Sequence, residues 1–274
     1  MDDLIEFGKL LEALRPWQGR IVIIGGWAHR LYRFHPESNP PNYVPVTTKD
    51  ADVAFSLKEP IPGDMGVALK SKGFEAQLMG EATPPVTHYH LGDEAGGFYA
   101  EFLVPLIGGR TTRSGELVPL TVETAGISAQ KLRYLEILLV RPWSLEVDSS
   151  TGIEISNGMQ VTIPNPVTFI AQKLFIKSKR EANKQAQDAL YIHDTIDLFA
   201  NKLDDLNKIW IEEIRPTLPP KTATSIESQA REQFRQLNDI HRDAARIPQD
   251  RKLNPDYLQM ACFSGLEQIF ERKD

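Results

Sequence analysis

A pair of glycines followed by a pair of aspartates constrains the possible folds of this chain more than any other sequence feature. The β-branched run from Ile21 to Ile24 predicts a strand buried on both faces, and it leads directly into Gly25-Gly26. Glycine lets the backbone turn sharply and lets a ligand approach closely. The residues from Trp27 to Phe34 predict a short helix, whose first N–H groups would suit a phosphate. Trp27 itself is interpreted as a packing residue. Asp50-Ala-Asp52 then opens a second apolar run.

The spacing of the two aspartates indicates a metal site. Residues i and i+2 of a strand point to the same face, so Asp50 and Asp52 would present two carboxylates side by side. Two bare like charges on a core strand repel each other and resist desolvation. A divalent cation removes both problems, and Mg²⁺ prefers one or two carboxylates together with phosphate oxygens. Taken alone, the pair fits a solvated strand edge better, but the upstream glycine turn favours the metal site.

Glu101 is the best candidate for a third carboxylate. It is a lone acid inside the apolar run from Tyr99 to Val104, which predicts a strand. Its neighbours Ala100 and Phe102 would face the opposite side of that strand. Two-metal phosphoryl chemistry uses such an acid on a neighbouring strand. A solvent-facing strand residue is almost as good an interpretation of Glu101. Asp93 and Glu94 are weaker candidates, because they lie in the glycine-rich turn of a predicted hairpin, where acids are common.

A basic stripe is predicted on a helix from Thr168 to Phe199. Four cations are spaced 4, 3 and 4 residues apart, and Asp188 follows four residues later. This spacing would place all five side chains on one face of a continuous helix. The simplest interpretation is a solvated charged face with a Lys184–Asp188 pair. A second interpretation is functional, because a triphosphate bound at an acidic metal site would need cations of this kind. The four cations of the stripe are Lys173, Lys177, Arg180 and Lys184.

Composition bounds the class of protein. The 274 residues allow one large domain or two ordinary ones, and 41% hydrophobic content supplies a sizeable core. The net charge of -6 argues against general nucleic-acid binding. A single cysteine, Cys262, cannot form an intramolecular disulfide and fits a reducing compartment. We expect a cytoplasmic protein, because the N-terminus does not read as a signal peptide and no segment approaches a membrane span.

The predicted secondary structure of the chain changes at Asn165-Pro166. Asn165 is a good helix N-cap, and Pro166 suits the first helical position. Residues before this point mix strand and helix signals, with a helical or mixed pattern from Ile127 to Leu139 and a predicted hairpin from Glu146 to Ile163. Almost everything after it reads as helix, with breaks at Pro216–Pro220 and Ile247–Pro255. We therefore predict an α+β fold, with a mixed sheet flanked by helices in residues 1–164. An all-helical C-terminal domain should occupy residues 165–274. The proline-rich residues 35–47 predict a loop, either a lid or a specificity loop.

These features together resemble the nucleotidyltransferase superfamily that shares the DNA polymerase β catalytic fold. The shared motif is Gly25-Gly26 at a strand–helix turn, then Asp50-Ala-Asp52 on the next strand, then a later acid, here Glu101. Thr48 and the block from Ile163 to Lys173 are similar to the bacterial branch that includes AbiEii-type toxins and related nucleotidyltransferase-fold proteins. The resemblance covers about residues 20–200.

The resemblance implies transfer of a nucleotidyl group from an NTP, with ATP among the candidates, to a hydroxyl and release of pyrophosphate. Two Mg²⁺ ions would be held by Asp50, Asp52 and Glu101, and Glu101 would help to activate the hydroxyl. The acceptor would be RNA such as tRNA, a protein or a small molecule, and an antitoxin could be a partner. The residues implied to bind the nucleotide are Gly25, Gly26, Thr48, Lys173, Lys177, Arg180 and Lys184.

Two other functions stay open at this point. One is a catalytically inactive nucleotide sensor or toxin–antitoxin-like interaction module on the same fold. The other is a helical scaffold whose residues 165–274 bind a protein partner by themselves. Among the histidines, His29 is interpreted as a helix-surface residue as readily as a phosphate contact. His88 and His90 alternate on one strand face, and a structural role is favoured for both because no third metal ligand has a useful spacing.

Overall fold

The computed structural model describes residues 2–79, 86–92, 97–109 and 118–271. The chain forms two compact units, one of Met1–Ala28 with Thr47–Pro164 and the other of His29–Val46 with Asn165–Asp274. The first unit contains the described strands and the second is helical. This α+β arrangement with a mixed sheet and C-terminal helices confirms the predicted fold class. No helix in the described part of the chain is long and apolar enough to cross a bilayer.

A mixed sheet of seven strands forms the core of the first unit. Five strands run in the order β1-β2-β5-β4-β3, β7 also pairs with β5, and β6 pairs with β7. The pairs β2–β5 and β5–β7 are parallel, and the other pairs are antiparallel. The strands are β1 (Ile21–Ile24), β2 (Asp50–Phe55), β3 (Phe74–Met79), β4 (Val86–Leu91), β5 (Tyr99–Pro105), β6 (Thr121–Thr124) and β7 (Ile127–Leu132).

Three helices accompany this sheet in the sequence: α1 (Asp2–Leu14), α2 (Gly25–Leu31) and α3 (Met65–Ser71). α1 contacts α3, and Phe7 of α1 stacks on Trp27 of α2 with ring centroids 3.8 Å apart. Trp27 is 1% exposed, which confirms its predicted packing role. α2 begins at Gly25 rather than at Trp27, so the two glycines are the first residues of the helix instead of a turn before it.

One face of the sheet changes from polar to apolar along its central strands. Toward the ends of β2 and β5, Ala54 and Leu103 join Val22 and Ile24 of β1 in a hydrophobic cluster. Leu135 and Leu138, from the 3₁₀ turn Leu135–Leu139, complete this cluster. By the period of two in a strand, the starts of β2 and β5 present Asp50, Asp52, Tyr99 and Glu101 on this same face. The acids therefore border an apolar core.

Two segments differ from the predicted secondary structure. The helical or mixed pattern from Ile127 to Leu139 is the strand β7 and a 3₁₀ turn, because Ala125 and Gly126 both have positive φ and close a tight β6–β7 hairpin. The edge strand β3 was not predicted, because four of its six side chains are exposed and no apolar alternation marks it. The predicted hairpin from Glu146 to Ile163 is confirmed as β8 (Trp143–Val147) and β9 (Met159–Ile163).

The second unit contains six α-helices among its described residues. Asn165 caps the first of them through a 2.9 Å hydrogen bond that its side chain accepts from the N–H of Thr168, as predicted. Breaks fall at Arg215–Thr217 and between Arg246 and Pro255, also as predicted. The helices are α4 (Pro166–Ile176), α5 (Ala182–Leu198), α6 (Leu203–Lys208), α7 (Pro220–Glu232), α8 (Asp239–Arg246) and α9 (Pro255–Phe270).

The predicted continuous helix from Thr168 to Phe199 is wrong. α4 ends at Ile176, a 3₁₀ turn spans Lys177–Lys179, and Arg180 and Glu181 have extended backbone before α5 begins. A straight helical face through all four cations and Asp188 therefore does not exist. The turn instead folds the chain back, and Asp188 of α5 forms salt bridges with both Lys173 and Arg180.

The proline-rich loop is fixed to the second unit by side chains. The Tyr43 hydroxyl donates to Asp197 Oδ2 at 3.0 Å, and the Val44 N–H donates to Asp250 Oδ2 at 2.6 Å. The guanidinium carbon of Arg251 lies 3.4 Å from the centre of the Tyr43 ring. The suggestion that this loop acts as a lid or sets specificity stays a prediction.

His29 is buried in the second unit, so the helix-surface interpretation, one of the two that the sequence left open, is wrong. Its side chain is 1% exposed and lies among Phe169 and Tyr191, and neither ring nitrogen has a hydrogen-bond partner among the described residues. Burial is the main reason why the pKa of His29 falls to about 4, and Asp194 opposes this shift while Lys173 adds to it.

We expect acid to destabilise the protein through His29. In the folded protein the pKa of His29 lies below its unfolded value of 6.5, so the stability that the neutral ring contributes is fully present above pH 6.5. As pH falls from 6.5 toward 4, the unfolded chain binds a proton that the folded protein does not, and this contribution is lost. Between pH 7.5 and 4.5 the loss should be about 2–3 kcal/mol. Urea unfolding of the wild type and His29→Phe at both pH values measures it. Equal pH dependence in the two proteins would contradict this role of His29.

Candidate active site

The two aspartates of β2 lie on one face of the sheet. Asp50 and Asp52 are partly exposed, whereas Ala51 and Val53 between and beside them are 0% exposed. This alternation is what a strand with one face on the core produces. The prediction that both carboxylates share a face is therefore confirmed.

Glu101 is the neighbour of Asp52 across the sheet. β2 and β5 are parallel, and their register pairs Asp52 with Glu101 and Asp50 with Tyr99. Ala100 and Phe102, on either side of Glu101, are 0% and 1% exposed and face the other way, as predicted. The three acids thus lie on adjacent strands of one sheet face. Asp93 and Glu94, the weaker candidates, lie outside the described residues.

Gly25, the first residue of α2, lies against this acidic face. β1 pairs with β2 so that Ile24 is opposite Asp52, which places Gly25 immediately beyond that pair. Gly25 has a φ of +65°, and a Cβ atom built on it would overlap with Oδ2 of Asp52. Both the backbone conformation and the close approach require glycine. The sequence signal at Gly25 is therefore a direct consequence of the position of the Asp52 carboxylate.

Gly25→Ala is expected to lower the activity of an enzyme built on these three acids by about 10–100-fold. The new methyl group must displace the Asp52 carboxylate, and a shift near 1 Å can cost that much. The left-handed backbone adds about 1–2 kcal/mol of strain for alanine. Gly19→Ala is the matched control, since a Cβ at Gly19 meets no atom within 4 Å and its φ is not positive. Steady-state kinetics and thermal unfolding separate the two effects. Equal activity of the two variants would contradict this account of Gly25.

Two histidines and a tyrosine, His88, His90 and Tyr99, lie beside the three acids on the same face of the sheet, and together these six residues form a polar row. In β4, His90 is opposite Tyr99, and continuing this antiparallel register brings His88 beside Glu101. His88 Nε2 lies 2.9 Å from Glu101 Oε1, and the His88 ring stacks on Tyr99 with centroids 4.4 Å apart and planes 6° from parallel. His90 is also close to Tyr99, with centroids 5.2 Å apart.

The pKa shifts in this row reflect burial and the nearby acids. Burial raises the pKa of Tyr99 above its ordinary value, and the charges of Asp50, Glu101 and Asp52 raise it further, in that order. All three carboxylates therefore act on one phenol. Burial, and then His90, lower the pKa of His88, while Asp50 opposes them.

The donor set fits Mg²⁺ held in an open site. Among the residues that the structure describes, no three His, Cys, Asp or Glu side chains converge on one point as a closed metal site would require. Asp50 and Asp52 instead supply two carboxylates on one face, and Mg²⁺ commonly takes one or two carboxylates and completes its shell with water and substrate phosphate. The same oxygens suit a soft metal poorly.

The other predicted nucleotide-binding residues divide between the two units. Thr48 is partly buried just before β2, and Gly26 follows Gly25 in α2. In the second unit, Lys173 is 6% exposed and its Nζ lies 2.6 Å from Asp188 Oδ1, while Arg180 Nε lies 3.0 Å from Oδ2. Lys177 is partly buried and Lys184 is exposed. The phosphate contacts assigned to the four cations stay predictions.

Sequence reasoning missed the contact between His88 and Glu101. It treated both histidines as structural because it sought a third metal ligand along the chain. The available signal was the alternation of His88 and His90 opposite Tyr99 and Glu101 in a hairpin. Only the register of β4 on β5 shows which histidine meets the acid.

Comparison with known proteins identifies the family of this chain. Residues 3–215 match a family model described as nucleotidyltransferase, and this range contains both glycines, all three acids and the four cations. No curated protein matches the chain, and no solved structure matches it. Because the matched range covers more than three quarters of the 274 residues, the chain belongs to this nucleotidyltransferase family.

Proposed function

We propose that this protein is a Mg²⁺-dependent enzyme that transfers a nucleotidyl group from an NTP to a hydroxyl and releases pyrophosphate. One observation carries the proposal: Asp50, Asp52 and Glu101 share a sheet face on adjacent strands, with Gly25 against the Asp52 carboxylate. A metal–triphosphate complex needs paired carboxylates for the ion, and the arrangement of Asp50 and Asp52 supports this part of the proposal.

Each residue has a defined task in this proposal. Asp50 and Asp52 would hold Mg²⁺, which supplies charge neutralisation of the triphosphate when bound. Gly25 leaves room for the Asp52 carboxylate at the end of β1, and the resemblance assigns the triphosphate to the backbone N–H groups of Gly25 and Gly26. Glu101 accepts the proton of the acceptor hydroxyl. At the same time the hydroxyl oxygen forms a bond to the α-phosphorus, and the bond between the α-phosphorus and pyrophosphate breaks. Positioning and charge stabilisation then account for most of the rate enhancement.

The acceptor class follows from the resemblance to the superfamily and is part of the proposal. A hydroxyl on RNA, on a protein or on a small molecule would serve, and the bacterial toxin branch would add an antitoxin as a binding partner. The net charge of -6 gives no general attraction to nucleic acid, so an RNA acceptor would need a local basic surface.

Transfer from α-phosphate-labelled NTPs tests the proposal. The wild-type chain is incubated with each of the four NTPs, with and without Mg²⁺, and with pooled tRNA, cell protein extract or a small-molecule extract. Label in one acceptor class that requires Mg²⁺ supports the proposal. Calorimetry that shows Mg²⁺-dependent NTP binding, combined with no transfer to any acceptor, would instead identify the inactive nucleotide-binding module. The absence of both binding and transfer would contradict both functions.

A further inference from the structure

The contact between His88 and Glu101 calls for an explanation beyond packing. A carboxylate on a mostly apolar strand can adopt several rotamers, and only some of them direct its oxygens toward a hydroxyl beside Asp52. The His88 side chain is 13% exposed and that of Glu101 is 23% exposed, so their 2.9 Å contact is largely shielded from water. A shielded hydrogen bond to a charged group is stronger and more directional than an exposed one.

The surroundings of His88 fix the orientation of its ring. Tyr99 stacks on it almost parallel at 4.4 Å, and Tyr99 itself lies on β5 between Asp50 of β2 and His90 of β4. The ring can therefore present Nε2 toward Glu101 with little loss of freedom when substrate binds. A group held in this way can in turn hold the side chain that it contacts.

We propose that His88 is the positioning residue for the third acid, because its Nε2–H donates to Glu101 Oε1 and sets the direction of the carboxylate that receives the acceptor proton. This inference rests on the proposed nucleotidyl transfer. It concerns the catalytic step rather than NTP binding, since the metal-holding pair Asp50 and Asp52 is not involved in the hydrogen bond.

Two substitutions isolate the donated hydrogen bond. His88→Phe keeps a flat ring that can stack on Tyr99 but has no N–H group, whereas His88→Gln keeps an N–H donor of similar reach. We expect His88→Phe to lower kcat by about 10–100-fold with an unchanged KM for NTP, and His88→Gln to recover much of that loss. A purely structural role for the ring would give the opposite order, because phenylalanine preserves the stacking better than glutamine does.

His90→Phe is the matched control. His90 lies on the same strand face and its ring also contacts Tyr99, but its Nε2 has no hydrogen-bond partner among the described residues. Its kcat should stay near that of the wild type. Thermal unfolding and calorimetric affinity for Mg²⁺ with a non-hydrolysable NTP are measured for all three variants, so that misfolding or lost substrate binding is recognised.

Nitrogen-15 NMR of the histidine side chains tests the hydrogen bond without turnover. In the full chain labelled on histidine, the His88 signals are assigned by their loss in His88→Gln. We expect Nε2 to carry the proton in the wild type, and Glu101→Ala to shift the Nε2–H signals toward those of a histidine without this hydrogen bond. Protonation of Nδ1 alone, or no response to Glu101→Ala, would overturn the inference.

The kinetic outcomes separate this inference from the function on which it rests. If the wild type transfers label and His88→Phe is as active, the role of His88 is refuted while the proposed function stands. If the wild type neither binds nor transfers NTP, both are refuted. If kcat falls in His88→Phe and recovers in His88→Gln at constant KM, the inference is supported.

Discussion

Replacing Asp50 and Asp52 together by asparagine is expected to abolish nucleotidyl transfer while the protein stays folded. Asparagine has nearly the same shape as aspartate, so β2 keeps its register with β1 and β5. It lacks the negative charge that a magnesium ion requires from its protein ligands. Because stabilising charge at a reacting phosphate is usually the largest single contribution to catalysis, we expect a loss of at least about 10³-fold in kcat.

The structure offers a control with the same change in net charge. Glu59 and Glu75 are exposed acids of the same unit, and Glu59→Gln with Glu75→Gln removes two carboxylates without touching β2 or β5. Labelled transfer and calorimetric titration with Mg²⁺ and NTP are compared for the two double variants. Turnover of the Asp50→Asn, Asp52→Asn protein at the wild-type rate would refute the proposed function, whatever the control does.

Much of the candidate site could be predicted because its signals are local. The glycine at the end of β1 and the alternate aspartates of β2 each depend on a few consecutive residues. Their physical reasons, a positive φ at Gly25 and a shared face for Asp50 and Asp52, are present in the structure. Glu101 could be proposed for a similar reason, as a lone acid in an apolar strand.

The remaining features depend on contacts between distant segments. The basic stripe was assigned to one helix because the spacing of its cations is helical, but the chain turns at Lys177–Lys179 and brings Asp188 back to Lys173. The burial of His29 depends on Phe169 and Tyr191, which are more than a hundred residues away. Periodicity gives the faces of one element and does not show which other element covers them.

Arg251→Met is expected to destabilise the protein by about 3–5 kcal/mol. Nη2 of Arg251 donates to both oxygens of Asp194, at 2.6 and 2.8 Å, and the Asp194 side chain is only 1% exposed. Burial acts to raise the pKa of Asp194, but the hydrogen bond from His193, the neighbouring His29 and Arg251 together hold it below its ordinary value. Methionine fills a similar volume, so the main loss is the partner of a buried negative charge.

The same guanidinium also covers the Tyr43 ring, so the substitution should loosen the proline-rich loop as well. Arg246→Met is the matched control, because Arg246 pairs with Asp243 at 3.0 Å on an exposed helix surface, where such pairs contribute at most about 1 kcal/mol. Urea unfolding at pH 7.5 should show a large loss only for Arg251→Met. Adding Asp194→Asn to that variant should recover part of it, since the unpaired charge is removed. Equal stability of the two single variants, or no recovery in the double variant, would show that Asp194 does not depend on Arg251.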